Sequence, residues 1–343
     1  MNKIKHSFFV AVLIVLSSFC SGYSADLFAI EALVQPVYEI EPKDNLADSG
    51  SGRYSIKRAS FGFSSEQEIL IPLKLNLSID GAEAKILRNA WLRADFHSSF
   101  RVKAGRFKIP FSYDVQRSGD DFSFQSKGQI SDYLQAELIE YRQNGVEFSG
   151  DIPFNLEYSL GIFDSPSFVL PGYEPFELVA GALTYKPFKG FELQASWMSD
   201  AIFLTQQSYY RTHAFDFSVL FKREGLRLES ELFLPDSGAG NRIRALQSKE
   251  NMKNSFRNFG EYLFKTSQFR TGPYLSLERV QRADRFVDYV GYGLVLRHKK
   301  RLGLNFNITN RYDELTEEFS VQKYALMLSL TTDILVSNET SVK

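Results

Sequence analysis

Apolar and polar residues alternate with a period of two along most of the chain. In the segment from Glu68 to Ile79, the residues Ile69, Ile71, Leu73, Leu75, Leu77 and Ile79 share one face. Lys74, Asn76 and Ser78 share the other. Leu156, Tyr158, Leu160 and Ile162 oppose Glu157 and Ser159; Phe191, Leu193, Ala195 and Trp197 oppose Glu192, Gln194 and Ser196. The same holds for Phe215, Phe217, Val219 and Phe221 against Asp216, Ser218 and Lys222. Leu302, Leu304, Phe306 and Ile308 face away from Asn305 and Asn307. A period of two is that of a strand with two unlike faces. About sixteen such segments follow one another. Their centres lie near Leu33, Ser60, Leu73, Arg93, Lys103, Glu147, Ser159, Ala182, Ala195, Ser218, Ser230, Tyr262, Leu275, Gly293, Phe306 and Leu328. No 3.6 period interrupts them and no helical crossover separates them, so the sheet is expected to be an antiparallel meander.

A soluble sandwich alternates as well, with its apolar face inward. The connections separate the two cases. Short gaps fall at Ser65–Gln67, His97–Ser99, Ile152–Pro153, Pro187–Lys189, Arg223–Gly225, Ser267–Gln268 and Lys299–Lys300. Long ones fall between them, at Ile40–Gly52, Ile109–Gln143, Asp164–Phe176, Asp200–Tyr210 and Pro235–Asn258. Brief connections near Ile79–Glu83 and Gln281–Arg285 belong to the long side. Turns at one end and loops at the other is the pattern of an all-β, up-and-down transmembrane β-barrel. Hydrocarbon cannot satisfy open backbone groups, so a spanning sheet must close on itself. Lipid then faces the apolar set and the lumen the polar one. Tyr38, Tyr158, Tyr185, Tyr292, Tyr312, Tyr324 and Trp197 are read as strand-end aromatics of an interfacial girdle.

Composition fits this picture and narrows it. The 343 residues include 31 Phe and 17 Tyr but only 4 His, 2 Trp and 1 Cys. That balance favours strands and interfaces over thiol or metal chemistry. Basic and acidic residues number 40 and 41, a net charge of -1, which excludes the positive excess of a nucleic-acid binder. Mean hydropathy is -0.22, and the single long apolar run is N-terminal, which excludes a multi-span helical membrane protein. That run, Phe8–Leu16, follows Lys3 and Lys5 and precedes the small residues Ser17, Ser18, Ser21 and Gly22. It is read as a secretory signal peptide over residues 1–24, too short for a spanning helix. Cleavage near Ser24 or Ala25 removes Cys20 and leaves a chain without cysteine. Residues 25–336 then form the barrel, and 337–343 a polar tail.

The segment Arg58-Ala59-Ser60-Phe61-Gly62-Phe63 is followed by Asn89-Ala90-Trp91-Leu92-Arg93-Ala94. Then comes Arg101-Val102-Lys103-Ala104-Gly105-Arg106-Phe107-Lys108-Ile109-Pro110-Phe111. From about Arg53 to Leu134 this run resembles the phosphate-selective porin O and P family of Gram-negative bacteria. There an arginine-bearing strand, an alanine-led strand and a Gly/Lys/Pro/Phe stretch occur in this order. The resemblance implies a sixteen-stranded outer-membrane barrel, a homotrimer, with a long third loop folded into the lumen.

A porin does no chemistry; charged walls set its selectivity and a loop sets its constriction. Parity places Arg58, Lys74, Arg93, Arg101 and Lys103 on the lumen side of adjacent strands, as a basic wall. Arg106 and Lys108 flank Gly105, where a bulge can turn them inward as well. The longest connection, 109–143, is the candidate constriction. Its charges are Asp114, Arg117, Asp120, Asp121, Lys127, Asp132, Glu137, Glu140 and Arg142, with carboxylates in excess. A basic wall opposite an acidic loop either guides anions or neutralises itself in ion pairs. The opposite wall is mixed, with Glu157, Glu192, Asp216 and Glu231 among Lys222, Arg227, Lys265, Arg297 and Arg311. His97 and His298 lie at turns and His213 at an outer rim. No pair has metal-ligand spacing, and no Ser-His constellation or phosphate-cradling loop is present. The expected partners are outer-membrane lipid and small anions or other hydrophilic solutes, with no cofactor. A general or weakly cation-permissive porin, a non-conducting surface-display barrel and a secreted soluble β protein remain as rivals.

Overall fold

The computed structural model describes residues 27–41, 51–68, 71–81, 87–116, 142–164, 178–205, 208–235, 252–266, 268–282, 285–298, 302–314 and 318–336. The signal peptide at 1–24 and the tail at 337–343 lie outside these residues. The strands are β1 (Leu27–Glu41), β2 (Ser51–Glu68), β3 (Pro72–Asp80), β4 (Leu87–His97), β5 (Phe100–Lys108) and β6 (Arg142–Ile152). They continue as β7 (Leu156–Phe163), β8 (Leu178–Tyr185), β9 (Phe191–Thr205), β10 (Ser208–Arg223), β11 (Leu226–Pro235) and β12 (Met252–Tyr262). The last are β13 (Phe264–Lys265), β14 (Phe269–Arg282), β15 (Arg285–His298), β16 (Leu302–Asp313) and β17 (Glu318–Val336). One short helix, α1 (Tyr113–Gln116), follows β5.

Apart from β12 and β13, which do not pair with each other, each strand pairs antiparallel with its sequence neighbours, and β1 pairs with both β2 and β17. The sheet therefore has no free edge, which is the condition for backbone amides to sit in hydrocarbon. Both β12 and β13 pair with β14 and are two pieces of one strand broken at Leu263. The described residues thus form a closed barrel of sixteen strands. Leu27 pairs toward Glu66 and Phe28 toward Val336, so both chain ends leave the barrel on the side of the short turns.

Burial is inverted relative to a soluble protein. On β10, Phe215, Phe217 and Val219 are exposed while Asp216 and Ser218 are buried. On β16, Leu302, Leu304 and Phe306 are exposed and Asn305 and Asn307 buried. Aromatics crowd the short-turn rim. Phe100 stacks on Phe148 (6.2 Å) and Phe188 on Phe191 (5.1 Å), Phe96 is tilted against Phe100 (5.7 Å), and Tyr262 meets Phe264 edge to face (4.8 Å). At the opposite rim Tyr38 meets Tyr54 at 4.4 Å. The turn at Glu224–Gly225 has positive φ at both positions (46° and 96°), the two-residue geometry whose twist matches the flanking strands.

Four details differ from the reading of the sequence. The first short turn lies between Glu68 and Pro72, so Ser65–Gln67 belong to β2 and Ile71 to the turn. Alternation alone does not mark that reversal, because the apolar pattern runs through it. Asp200–Tyr210 is no long loop: β9 and β10 stay paired out to Thr205 and Ser208. Tyr292 sits midway along β15, opposite Leu275 and Ile308, rather than at a rim. Tyr262 ends β12 instead of centring it.

Candidate functional site

The basic residues of β3–β5 come together through strand register. Lys74 lies opposite Glu66 on one side and Arg93 on the other; Arg93 lies opposite Lys103, and Lys103 opposite Glu147. Three cations thus occupy consecutive positions of one row, closed at each end by a carboxylate. Like charges directly opposite one another repel, so such a row persists only with offsetting neighbours. Lys74 bridges Glu66 at 2.6 Å, Arg93 bridges Asp95 at 2.7 Å and Lys103 bridges Glu147 at 2.8 Å. Arg101, nearer the turn, bridges Asp151. The Lys103 ammonium also lies 4.2 Å from the centre of the Phe107 ring, which holds it against the wall.

The four pairs are not equivalent toward the lumen. The Arg93 side chain is 28% exposed against 19% for Asp95, and Lys103 is 19% exposed against 9% for Glu147. There the cation is the more accessible member. In Lys74–Glu66 and Arg101–Asp151 the carboxylate is the more accessible one.

The remaining basic candidates are placed differently. Register runs without a shift through Gly105, and Arg106 sits opposite Ala90 and Asn144, outside the row. Its Nε donates to the Leu87 carbonyl at 3.1 Å. Lys108 donates to the Gln116 carbonyl at 3.2 Å. Arg58 is the register partner of Gln35, and its side chain lies outside the described set. So do Arg117, Asp120, Asp121, Lys127 and Asp132.

After β5 the chain enters the barrel. Ile109, Phe111 and Val115 pack with inward residues of β7, β9, β10, β11 and β14, among them Phe163, Met198, Ala214, Phe233 and Val280. Phe111 meets Phe233 edge to face at 6.1 Å. The Ser112 amide donates to Ser196 Oγ at 3.0 Å, and Ser112 Oγ donates to Glu231 at 2.6 Å. Glu231 also accepts from the Asp114 amide at 3.1 Å. Asp114, fully buried, accepts from Arg257 of β12. The start of the 109–143 connection therefore crosses from the basic wall to β9–β12 and is bound there.

Ser112, Arg257 and the inward apolar cluster were not singled out from the sequence. A signal for the cluster exists: Phe163, Met198, Ala214, Phe233 and Val280 all break the polar-inward rule. The far wall itself is rich in buried carboxylates, Asp216, Glu229, Glu231, Glu261 and Glu278, beside Arg227 and Arg257. The histidines are peripheral. His97 and His298 end strands at the turn rim, and His213 stacks on Trp197 at 6.0 Å.

No protein-family model matches the sequence, and no curated protein is found as a relative. Solved structures do match. An anion-selective porin from Comamonas acidovorans superposes with a TM-score of 0.66 at 11% identity, over 90% of this chain and 99% of that one. OprB of Pseudomonas putida gives 0.62 at 12% identity, over 89% and 94%. The outer membrane channel DcaP of Acinetobacter baumannii gives 0.62 at 11% identity, over 91% and 100%. At such identities the likeness is one of architecture, and that architecture is the closed antiparallel barrel of outer-membrane porins.

Proposed function

We propose that the chain is a diffusion channel of a Gram-negative outer membrane, exported by its signal peptide, assembled as a homotrimer and passing small hydrophilic solutes with anions favoured. The observation that carries the reading is the row Lys74–Arg93–Lys103 on the inner face of a closed barrel whose outer face is apolar. A charged wall at a narrowed lumen raises the local concentration of counter-ions without any chemical step. The Arg93 and Lys103 side chains are more exposed than those of their carboxylate partners and stand side by side in the row, which supports a wall that favours anions. The run Arg53–Leu134 adds the phosphate-selective porin O and P likeness, which makes inorganic phosphate a natural first solute to try.

A second reading has its own support. Glu66 and Asp151 are more exposed than the cations they pair with, and the far wall carries an excess of carboxylates. Those features favour a general or cation-permissive channel. Reversal potential in a planar bilayer under a salt gradient decides between the two, with refolded protein lacking residues 1–24. Anion preference supports the basic row. Cation preference keeps the channel and transfers selectivity to the carboxylates. A folded barrel that passes no current sinks the channel reading and favours a display role.

A further inference from the structure

We propose that Arg257 is the positioning residue of the constriction: it pins the segment 109–116 to the far wall by supplying the positive charge that its carboxylate-rich docking site requires. The inference rests on the channel reading above for its functional meaning, but its physical content is independent of conduction.

The docking site is built from three elements. Asp114 comes from the segment, Glu231 from β11 and Arg257 from β12, directly opposite Glu231 in register. Arg257 is also the register partner of Glu278 on β14. Asp114 has no solvent exposure, and the Arg257 side chain is 3% exposed. Glu231 already accepts from Ser112 Oγ and from the Asp114 amide, which draws the Asp114 carboxylate into an acidic neighbourhood. Two buried carboxylates so placed repel unless a cation lies between them. Arg257 is that cation, donating to Asp114 while facing Glu231 and Glu278. Its guanidinium donates to Asp114 through one nitrogen and acts on Glu231 and Glu278 through space, as a broad, delocalised charge that an ammonium matches less well.

The neutral contacts hold the segment only while the carboxylates beside them are offset. Ser112 to Ser196, Phe111 against Phe233 and the burial of Val115 favour the docked segment. Each would remain in a variant without Arg257, yet Asp114 and Glu231 would then have lost the guanidinium that faces both. The expected response is release of the segment, with the barrel wall intact, because strand pairing does not pass through Asp114.

Accessibility of Val115 reads this directly. In the full chain with Cys20→Ser, Val115→Cys adds a single thiol at a fully buried position of the segment. With Arg257 present, a membrane-impermeant maleimide is expected to label it slowly. With Arg257→Met, labelling should rise about tenfold or more, as the segment opens without global unfolding. Arg257→Met combined with Asp114→Asn removes both charges and should return labelling toward the slow rate. Arg257→Lys should fall between. Heat-modifiable gel mobility checks that each barrel is closed. If Arg257→Met does not fold, Arg257→Lys alone serves, since it keeps a charge but loses the planar reach and predicts faster labelling than the parent.

Unchanged labelling in folded Arg257→Met, or no recovery in the double variant, overturns the pin. Single-channel recordings supply the functional arm: Arg257→Met should shift conductance and add rapid substates, which the double variant suppresses. A parent protein that conducts nothing refutes the channel reading while leaving the labelling result to judge the pin.

Discussion

Replacing Arg93 by Gln tests the basic row most directly. Arg93 is the middle cation, with Lys74 and Lys103 in register on either side. An ion passing about 6 Å from the guanidinium in a water-like dielectric feels about 0.7 kcal/mol. Screening at 0.1 M salt, with a Debye length of about 10 Å, reduces this to about 0.4 kcal/mol. Anion and cation energies move in opposite directions, so the permeability ratio changes by roughly fourfold. If the parent prefers anions by about that factor, a tenfold salt gradient gives a reversal potential shifted by about 25 mV on substitution, toward zero. At 1 M salt the Debye length is about 3 Å and the shift should shrink to a few mV. Asp95→Asn is the matched control. It frees Arg93 from its 2.7 Å partner and should move the potential in the opposite direction. A folded Arg93→Gln barrel whose potential is unchanged at 0.1 M, or moves toward stronger anion preference, refutes the reasoning that this row sets selectivity.

Other consequences are open to equilibrium folding measurements in detergent or lipid. Leu275→Arg places a charge on the exposed outer face of β14 and should cost about 2–4 kcal/mol if it lies near the bilayer midplane. Gly105 has φ of +126°, and a Cβ there would lie 2.2 Å from the Ala90 carbonyl oxygen, so Gly105→Ala should lower the unfolding midpoint in urea by the equivalent of about 1–3 kcal/mol or more. Lys186→Met removes a bridge to Glu157 between two well-exposed side chains, and its cost should stay within about 1 kcal/mol and vanish in high salt.

Much of this molecule is written in one dimension. A two-residue period places Phe215, Phe217 and Val219 in lipid and Asp216 and Ser218 inside, whatever the rest of the chain does, because a strand has only two faces. The alternation of turns and loops then leaves closure as the way to satisfy every spanning amide. Lys74, Arg93, Arg101 and Lys103 could be assigned to one wall from parity and strand order alone. Their pairing could not. Whether Arg93 meets Asp95, and Lys103 meets Glu147, depends on side-chain reach and on register across separate hairpins. The hairpin ends were equally hidden: the apolar run through Ile69 and Ile71 conceals a turn, and β9 and β10 continue past Asp200 because pairing can extend beyond the apolar band. The docking of Asp114 on Arg257 joins positions 143 residues apart in sequence. Such a contact leaves no periodic trace, since it arises only when a closed wall brings opposite faces within reach of a segment that has turned inward. Alternation and turn spacing are local properties, and they determined the barrel; the distribution of charge across its lumen is a long-range property, and only the closed structure decided it.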